Sequence, residues 1–255
     1  MASMNLGDFY KRDRRLGSTM TFDGVDVYGR FNADVHSFVP TSGGVDNTIT
    51  RKVSKSSFDQ FYFDFNAGTL VVDAYVGGAN KLDMLMNVNG YIAAAKKCVI
   101  YYSEDIGFEF DANLESYSVS ETGVEWFCDV SLTFNAIRRM PLVSESTSLT
   151  SYEFENLGTR PSGLRITITP TGSFDNAYIR VNPNTDDELK INFTRITQAY
   201  KFIIDGVDGK VTENGINAIL KTDLVKFPYV VPGMNTVSIN FAASITYEYY
   251  PTFEI

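Results

Sequence analysis

The chain has 255 residues, 44% of them hydrophobic, 21% charged and 14% aromatic, with a formal net charge of −9. That is enough chain for one large β domain or two ordinary ones, and enough apolar content to bury a core. Residues 1–145 carry 13 basic and 19 acidic side chains and residues 146–255 carry 9 and 12, so neither half offers the basic face that nucleic acid or anionic lipid would require.

The first 18 residues are polar, with Lys11, Arg12, Arg14 and Arg15 close together, and read as a surface arm. No apolar stretch follows them of the kind a signal peptide needs, and no run reaches membrane-spanning length. Thr19 to Phe22, followed by Asp23-Gly24-Val25-Asp26, predicts a strand and a tight turn, because Asp-Gly supplies the positive φ angles of a two-residue hairpin. Arg30 to Val39 alternates loosely and stops at Pro40. Residues 47–55 and 58–65 are strand-like, the second dense in aromatics, and Thr69 to Val76 is a strong strand ended by Gly77-Gly78.

One helix is predicted, over Lys81 to Lys97. Asn80 is placed to cap it, Asp83 lies in its first turn, and Lys96-Lys97 suit the negative end of its dipole. Leu82, Leu85, Met86, Asn89, Ile92, Ala93 and Lys96 share one face at three- and four-residue spacing, and that stripe reads as core packed on a sheet rather than as a groove for a partner. Strands follow at Cys98–Tyr102 and Ile106–Ser120. Val124 to Phe134 alternates with a period of two, which sets Val124, Trp126, Cys128, Val130, Leu132 and Phe134 on one apolar face and makes Trp126 a core residue. Cys98 and Cys128 read as reduced core thiols.

After Met140-Pro141 the composition turns rich in Ser, Thr, Gly and Pro, which predicts a boundary: a first domain over 1–145, a linker over 146–160 and a second domain over 161–255. The second domain gives short strand-like runs at spacings of about ten residues, the pattern of an antiparallel β-sandwich. Its turns are dense between Phe202 and Ile239, with Asp205-Gly206, Asp208-Gly209, Asn214-Gly215, Phe227-Pro228 and Pro232-Gly233.

Catalytic chemistry finds no residues to carry it. The single histidine, His36, has no Ser or Cys partner in a recognisable arrangement, no Gly-x-Ser-x-Gly turn occurs, and three Cys and His residues scattered over the chain make no zinc cluster. The acidic loops at 182–188 and 205–209 lack the ligand spacing of a calcium loop and read as turn chemistry. No dinucleotide fingerprint or phosphate loop is present. No catalytic, cofactor-binding or metal-binding residue is therefore assigned, and two non-catalytic classes remain: a subunit of a structural assembly, or a carbohydrate-binding module using the C-terminal sandwich. For the second, an aromatic platform is sought among Tyr247, Tyr249 and Tyr250, though alternation already places Tyr247 and Tyr249 on a shared face where strand packing accounts for them equally well.

The order of several short segments carries a resemblance. These are Thr21-Phe22-Asp23-Gly24-Val25, the single helix, Tyr101-Tyr102-Ser103-Glu104-Asp105, Leu132-Thr133-Phe134 and Arg160-Pro161-Ser162-Gly163-Leu164-Arg165-Ile166, followed by Ile203-Ile204-Asp205-Gly206, Asn214-Gly215, Phe227-Pro228 and Pro232-Gly233-Met234-Asn235-Thr236-Val237. In that order and spacing the chain resembles the distal tail protein family of long-tailed, non-contractile bacteriophages over nearly its whole length. The resemblance implies a mainly β fold: an N-terminal ring-forming, barrel-like domain with one helix, then a galectin-like sandwich projecting outward. It implies a homo-hexameric ring at the virion's tail tip, assembled in the host cytoplasm. That ring would join the tail tube protein to the tail-associated protein and to baseplate adaptor or receptor-binding proteins, and its channel would pass genomic DNA. The sandwich has no room for the long inserted arm of some family members, so attachment is expected through its body or loops. It also has no His and no Trp, which argues against galectin-type sugar recognition.

Overall fold

The structure, a computed structural model, describes residues 19–41, 68–105, 107–198 and 200–254. The basic arm at 1–18 and the strand-like stretches at 47–55 and 58–65 lie outside the described residues. The chain divides into two compact units with the boundary at Arg138 and Arg139.

The N-terminal unit begins with β1 (Met20–Phe22) and β2 (Val25–Asp26), joined by Asp23 and Gly24 at φ 50° and 79°. Both central residues are left-handed, as a two-residue hairpin with right-twisted strands requires. Asp26 then caps a short helix, α1 (Val27–Phe31), accepting from the amides of Tyr28 and Gly29, and Asn32 ends it at φ 50°. The sequence reading missed this helix, since five residues carry too little periodicity to register. β3 (Ala33–Thr41) and β4 (Gly68–Gly77) pair antiparallel, α2 (Lys81–Ala95) crosses over, and β5 (Lys97–Tyr102), β6 (Glu109–Glu121) and β7 (Phe127–Arg139) complete the unit. The strands run β2-β1-β5-β6-β7-β4-β3. Phe38 of β3 stacks on Tyr102 of β5 with ring centroids 4.3 Å apart and meets Phe110 of β6 edge-on, so strands far apart in the sheet order converge and the sheet is strongly curled.

Three expectations are corrected here. The helix and its cap stand where predicted: Asn80 accepts from the Asp83 amide. The buried face, however, is Met84, Val88, Tyr91 and Ala95, while Leu82, Leu85 and Met86 are exposed. Apolar side chains populate both sides of this helix, so periodicity fits two faces; Tyr91, stacked on Phe22, decides which one enters the core. Second, the strand expected from Val124 starts at Phe127. Cys128, Val130, Leu132 and Phe134 are buried as predicted, but Trp126 lies in the preceding turn at φ 64° and is 36% exposed. The turn is tied by Thr122, whose hydroxyl donates to the Phe127 carbonyl and accepts from the Val124 amide.

The C-terminal unit begins earlier than predicted, at Arg139. Residues 146–160 are not a linker: β8 (Val143–Thr147) and β9 (Ser151–Asn156) are strands of this unit. Phe154 and Asn156 are buried while Ser151, Glu153 and Glu155 face water. A Ser- and Thr-rich strand with one wet face has the composition of a loop and the alternation of a strand. Further strands are β10 (Ser162–Gly163), β11 (Arg165–Pro170), β12 (Phe174–Asp175), β13 (Tyr178–Val181), β14 (Leu189–Asn192), β15 (Arg195–Ile196), β16 (Phe202–Asp205), β17 (Lys210–Glu213), β18 (Ile216–Asn217), β19 (Tyr229–Val230), β20 (Gly233–Ile239), β21 (Ala243–Tyr249) and β22 (Thr252–Phe253). One sheet runs β18-β17-β16-β11-β21-β8 and another β14-β13-β20-β9, with β10-β19 and β12-β15 as small pairs. Inward side chains of the two larger sheets form one core, among them Ile166, Ile204 and Ile245 from the first and Ile179, Ile191 and Val237 from the second. This is the antiparallel sandwich that the turn spacing predicted.

Candidate functional surfaces

The histidine and the two cysteines each have packing or hydrogen-bond partners. His36 Nε2 lies 3.2 Å from Asp129 Oδ1 and its ring stacks on Tyr75, on an exposed part of the sheet. Burial pushes the Cys98 thiol up to about 12, and its Sγ points at the Ala95 carbonyl. The Cys128 thiol is also raised, by burial, and its Sγ lies 3.6 Å from Met84 Sδ. A thiol held protonated is a poor nucleophile and a poor metal ligand. Among the described residues no group of three or more His, Cys, Asp or Glu side chains stands close enough to hold a metal ion.

The tyrosines considered as a sugar platform are mostly core. Tyr247 and Tyr249 are 2% and 4% exposed. Tyr247 stacks on both Tyr152 and Phe154, and burial raises the hydroxyl pKa values of Tyr247 and Tyr249. Tyr250 is half-buried under the Arg139 guanidinium, 4.1 Å from its ring centroid. On the outer face of the four-stranded sheet, Tyr178 is covered by Arg180 and Lys190, so its ring is occupied by cations.

The acidic turn at 205–209 is held from within. Asp205 Oδ1 accepts from the amides of Val207 and Asp208, and its other oxygen faces Arg165. Arg165 sits between Asp205 on β16 and Glu248 on β21, directly opposite both in register. With Leu142, Val207, Asp208 and Tyr250 these residues line a small open cleft in which one guanidinium faces three carboxylates. The loop at 182–188 is tied to β20 and to itself: Asn182 donates to Asn235 and accepts from the Thr236 amide, and Glu188 accepts from the Asn184 amide.

What is left over is apolar surface. On α2, Leu82 and Met86 are 69% and 65% exposed and Leu85 is exposed beside them. On the β6–β7 hairpin, Tyr117 is 58% exposed, with Val119 and Val124 also in water. In the C-terminal unit Ile216, Leu220 and Val225 are exposed on and beyond the edge strand β18. Single exposed apolar residues are ordinary, but runs of them on one element mark contact surfaces.

No protein-family model matches the sequence, and no curated protein matches it. Among solved structures, the Dit protein (gp 19.1) of SPP1 is similar with a TM-score of 0.61 at 15% identity, and the match covers 91% of this chain and 98% of that one. The chain has the fold of a phage distal tail protein. The match takes in both units of this Dit-like chain, so the order of a curled sheet with a crossing helix followed by an antiparallel sandwich is common to the two. SPP1 Dit is described as a paradigm of the hub adsorption apparatus in phages that infect Gram-positive bacteria.

Proposed function

We propose that this Dit-like chain is a structural, non-catalytic hub protein of a phage tail tip. The observation that carries the proposal is the fold similarity along nearly the full length of both chains. In this reading six copies close into a ring through the N-terminal unit. The ring continues the tail tube and meets the tail-associated protein on its other side, leaving a channel through which genomic DNA is ejected. The C-terminal sandwich is galectin-like in shape, and carries baseplate adaptor or receptor-binding proteins. Its exposed Ile216, Leu220 and Val225 give such a partner an apolar foothold. The protein resides in the virion and assembles in the host cytoplasm.

Two further features support it. A protein made for assembly needs exposed apolar surface on ordered elements, and α2 and the β6–β7 hairpin supply it. Both thiols are buried, and the acidic turns at 182–188 and 205–209 are held by hydrogen bonds within the C-terminal unit. The carbohydrate-binding reading loses its platform, because Tyr247 and Tyr249 are core residues. Negative-stain imaging and mass measurement of the purified full chain test the proposal: six-membered rings support it, and a chain that stays monomeric alone and with its tail-tube partner overturns it.

A further inference from the structure

The N-terminal unit exposes two apolar sets that differ in charge. The α2 set, Leu82, Leu85 and Met86, has exposed Lys81 beside it in sequence and exposed Lys96 and Lys97 just past the far end of the helix. The one acid of this helix, Asp83, is turned back on its own N-terminus, where its carboxylate accepts from the Ala79 amide. The second set, Tyr117, Val119 and Val124, lies in residues 113–127, which contain Glu115, Glu121 and Glu125 and no Lys or Arg. β5 pairs with β6 only as far as Asn113, so the half of β6 bearing this set has β7 on one side and, among the described residues, no strand on the other. One surface is thus apolar with a basic rim and the other apolar with an acidic rim. Either set facing itself across a two-fold axis would oppose like charges. A closed ring uses the other arrangement, in which one patch on each copy meets a different patch on the next.

We propose that the basic-rimmed face of α2 on one copy receives the acidic outer half of the β6–β7 hairpin of the next copy. This rests on the ring reading above and names its contact. Leu82, Leu85 and Met86 form the apolar floor, Tyr117 and Val119 insert against it, and the lysines and glutamates face each other at the rim.

The test uses two full-length variants altered only at exposed positions: Leu82→Asp with Met86→Asp, and Tyr117→Asp with Val119→Asp. Circular dichroism and thermal melting verify that each keeps the wild-type fold, and serine replaces aspartate at the same positions in any variant that does not. Sedimentation then reads assembly. Each variant alone is expected to be monomeric, while an equimolar mixture gives a heterodimer and nothing larger, because one intact α2 face meets one intact hairpin. A mixture that stays monomeric, or rings formed by either variant alone, overturns the contact while leaving the ring reading in place. A wild-type chain that forms no rings overturns both.

Discussion

Asp205 stands directly opposite Arg165 across the β11–β16 pair, its Oδ2 3.4 Å from the guanidinium Nε, while its Oδ1 accepts from the amides of Val207 and Asp208. One carboxylate therefore holds a turn and anchors a cross-strand charge at the same time. Asp205 is 7% exposed, so its removal leaves two part-buried amide donors without their acceptor. Asp205→Ala is expected to cost about 2–3 kcal/mol, read as a lower urea midpoint for the C-terminal unit. Asp205→Asn, which keeps one acceptor oxygen for the turn, is expected to cost less. Equal loss in both variants would mean that the Arg165 ion pair, and not the turn, dominates.

Tyr91 presents the opposite case. Its ring is fully buried and stacks on Phe22, yet its hydroxyl has no hydrogen-bond partner among the described residues. Burial holds that hydroxyl protonated far above its usual range. An unpaired buried hydroxyl costs stability, so Tyr91→Phe is expected to be neutral or stabilising by up to about 1 kcal/mol, and Tyr91→Ala to cost about 3–5 kcal/mol. Thermal melts of the two variants check this. A clear loss in Tyr91→Phe would reveal a partner for the hydroxyl.

The fold was legible where one physical signal stood unopposed. Asp23-Gly24 can make little else than a tight hairpin, and it does. Asn80 capped a helix because its side-chain oxygen competes well for a free amide. The face of that helix was not legible, since Leu82, Leu85 and Met86 are as apolar as Met84 and Val88; only the placement of Tyr91 against Phe22 separates them, and that contact is remote in sequence. The same ambiguity hid the candidate contact surface, because an apolar stripe reads as core until something else is seen to fill the core. Val124 and Trp126 extended a flawless alternation by two steps too many, and nothing local announces the Trp126 φ of 64°. β8 and β9 were masked by serine and threonine, which serve loops and the wet faces of strands equally.

Trp126 gives a direct optical check on that correction. It is the sole tryptophan, and it sits in the β6–β7 turn with its backbone carbonyl accepting from the Gly78 amide. Native emission is expected at the long wavelengths of a partly hydrated indole, with ready quenching by acrylamide. A short-wavelength emission that resists quenching in the monomer would restore Trp126 to the core.

The pH dependence follows from the buried thiols and phenols. Cys98 is pushed up to about 12 from 9.0, and Tyr229 up to about 12 from 10.0, both by burial first. Above pH 9 the unfolded chain loses protons that the folded chain keeps, so stability is full below that point and falls as pH rises toward 12. Urea midpoints are expected to drop steadily over this window. Neither Cys98 nor Cys128 is expected to react with iodoacetamide at pH 8 until the chain unfolds. Rapid native labelling of Cys98 would contradict its burial.

The most direct measurement on the hub reading is the mass and shape of the purified full-length chain in solution. Rings of six copies around an open channel are the expected result. A monomer that remains single at every concentration, and in the presence of its tail-tube partner, would contradict it.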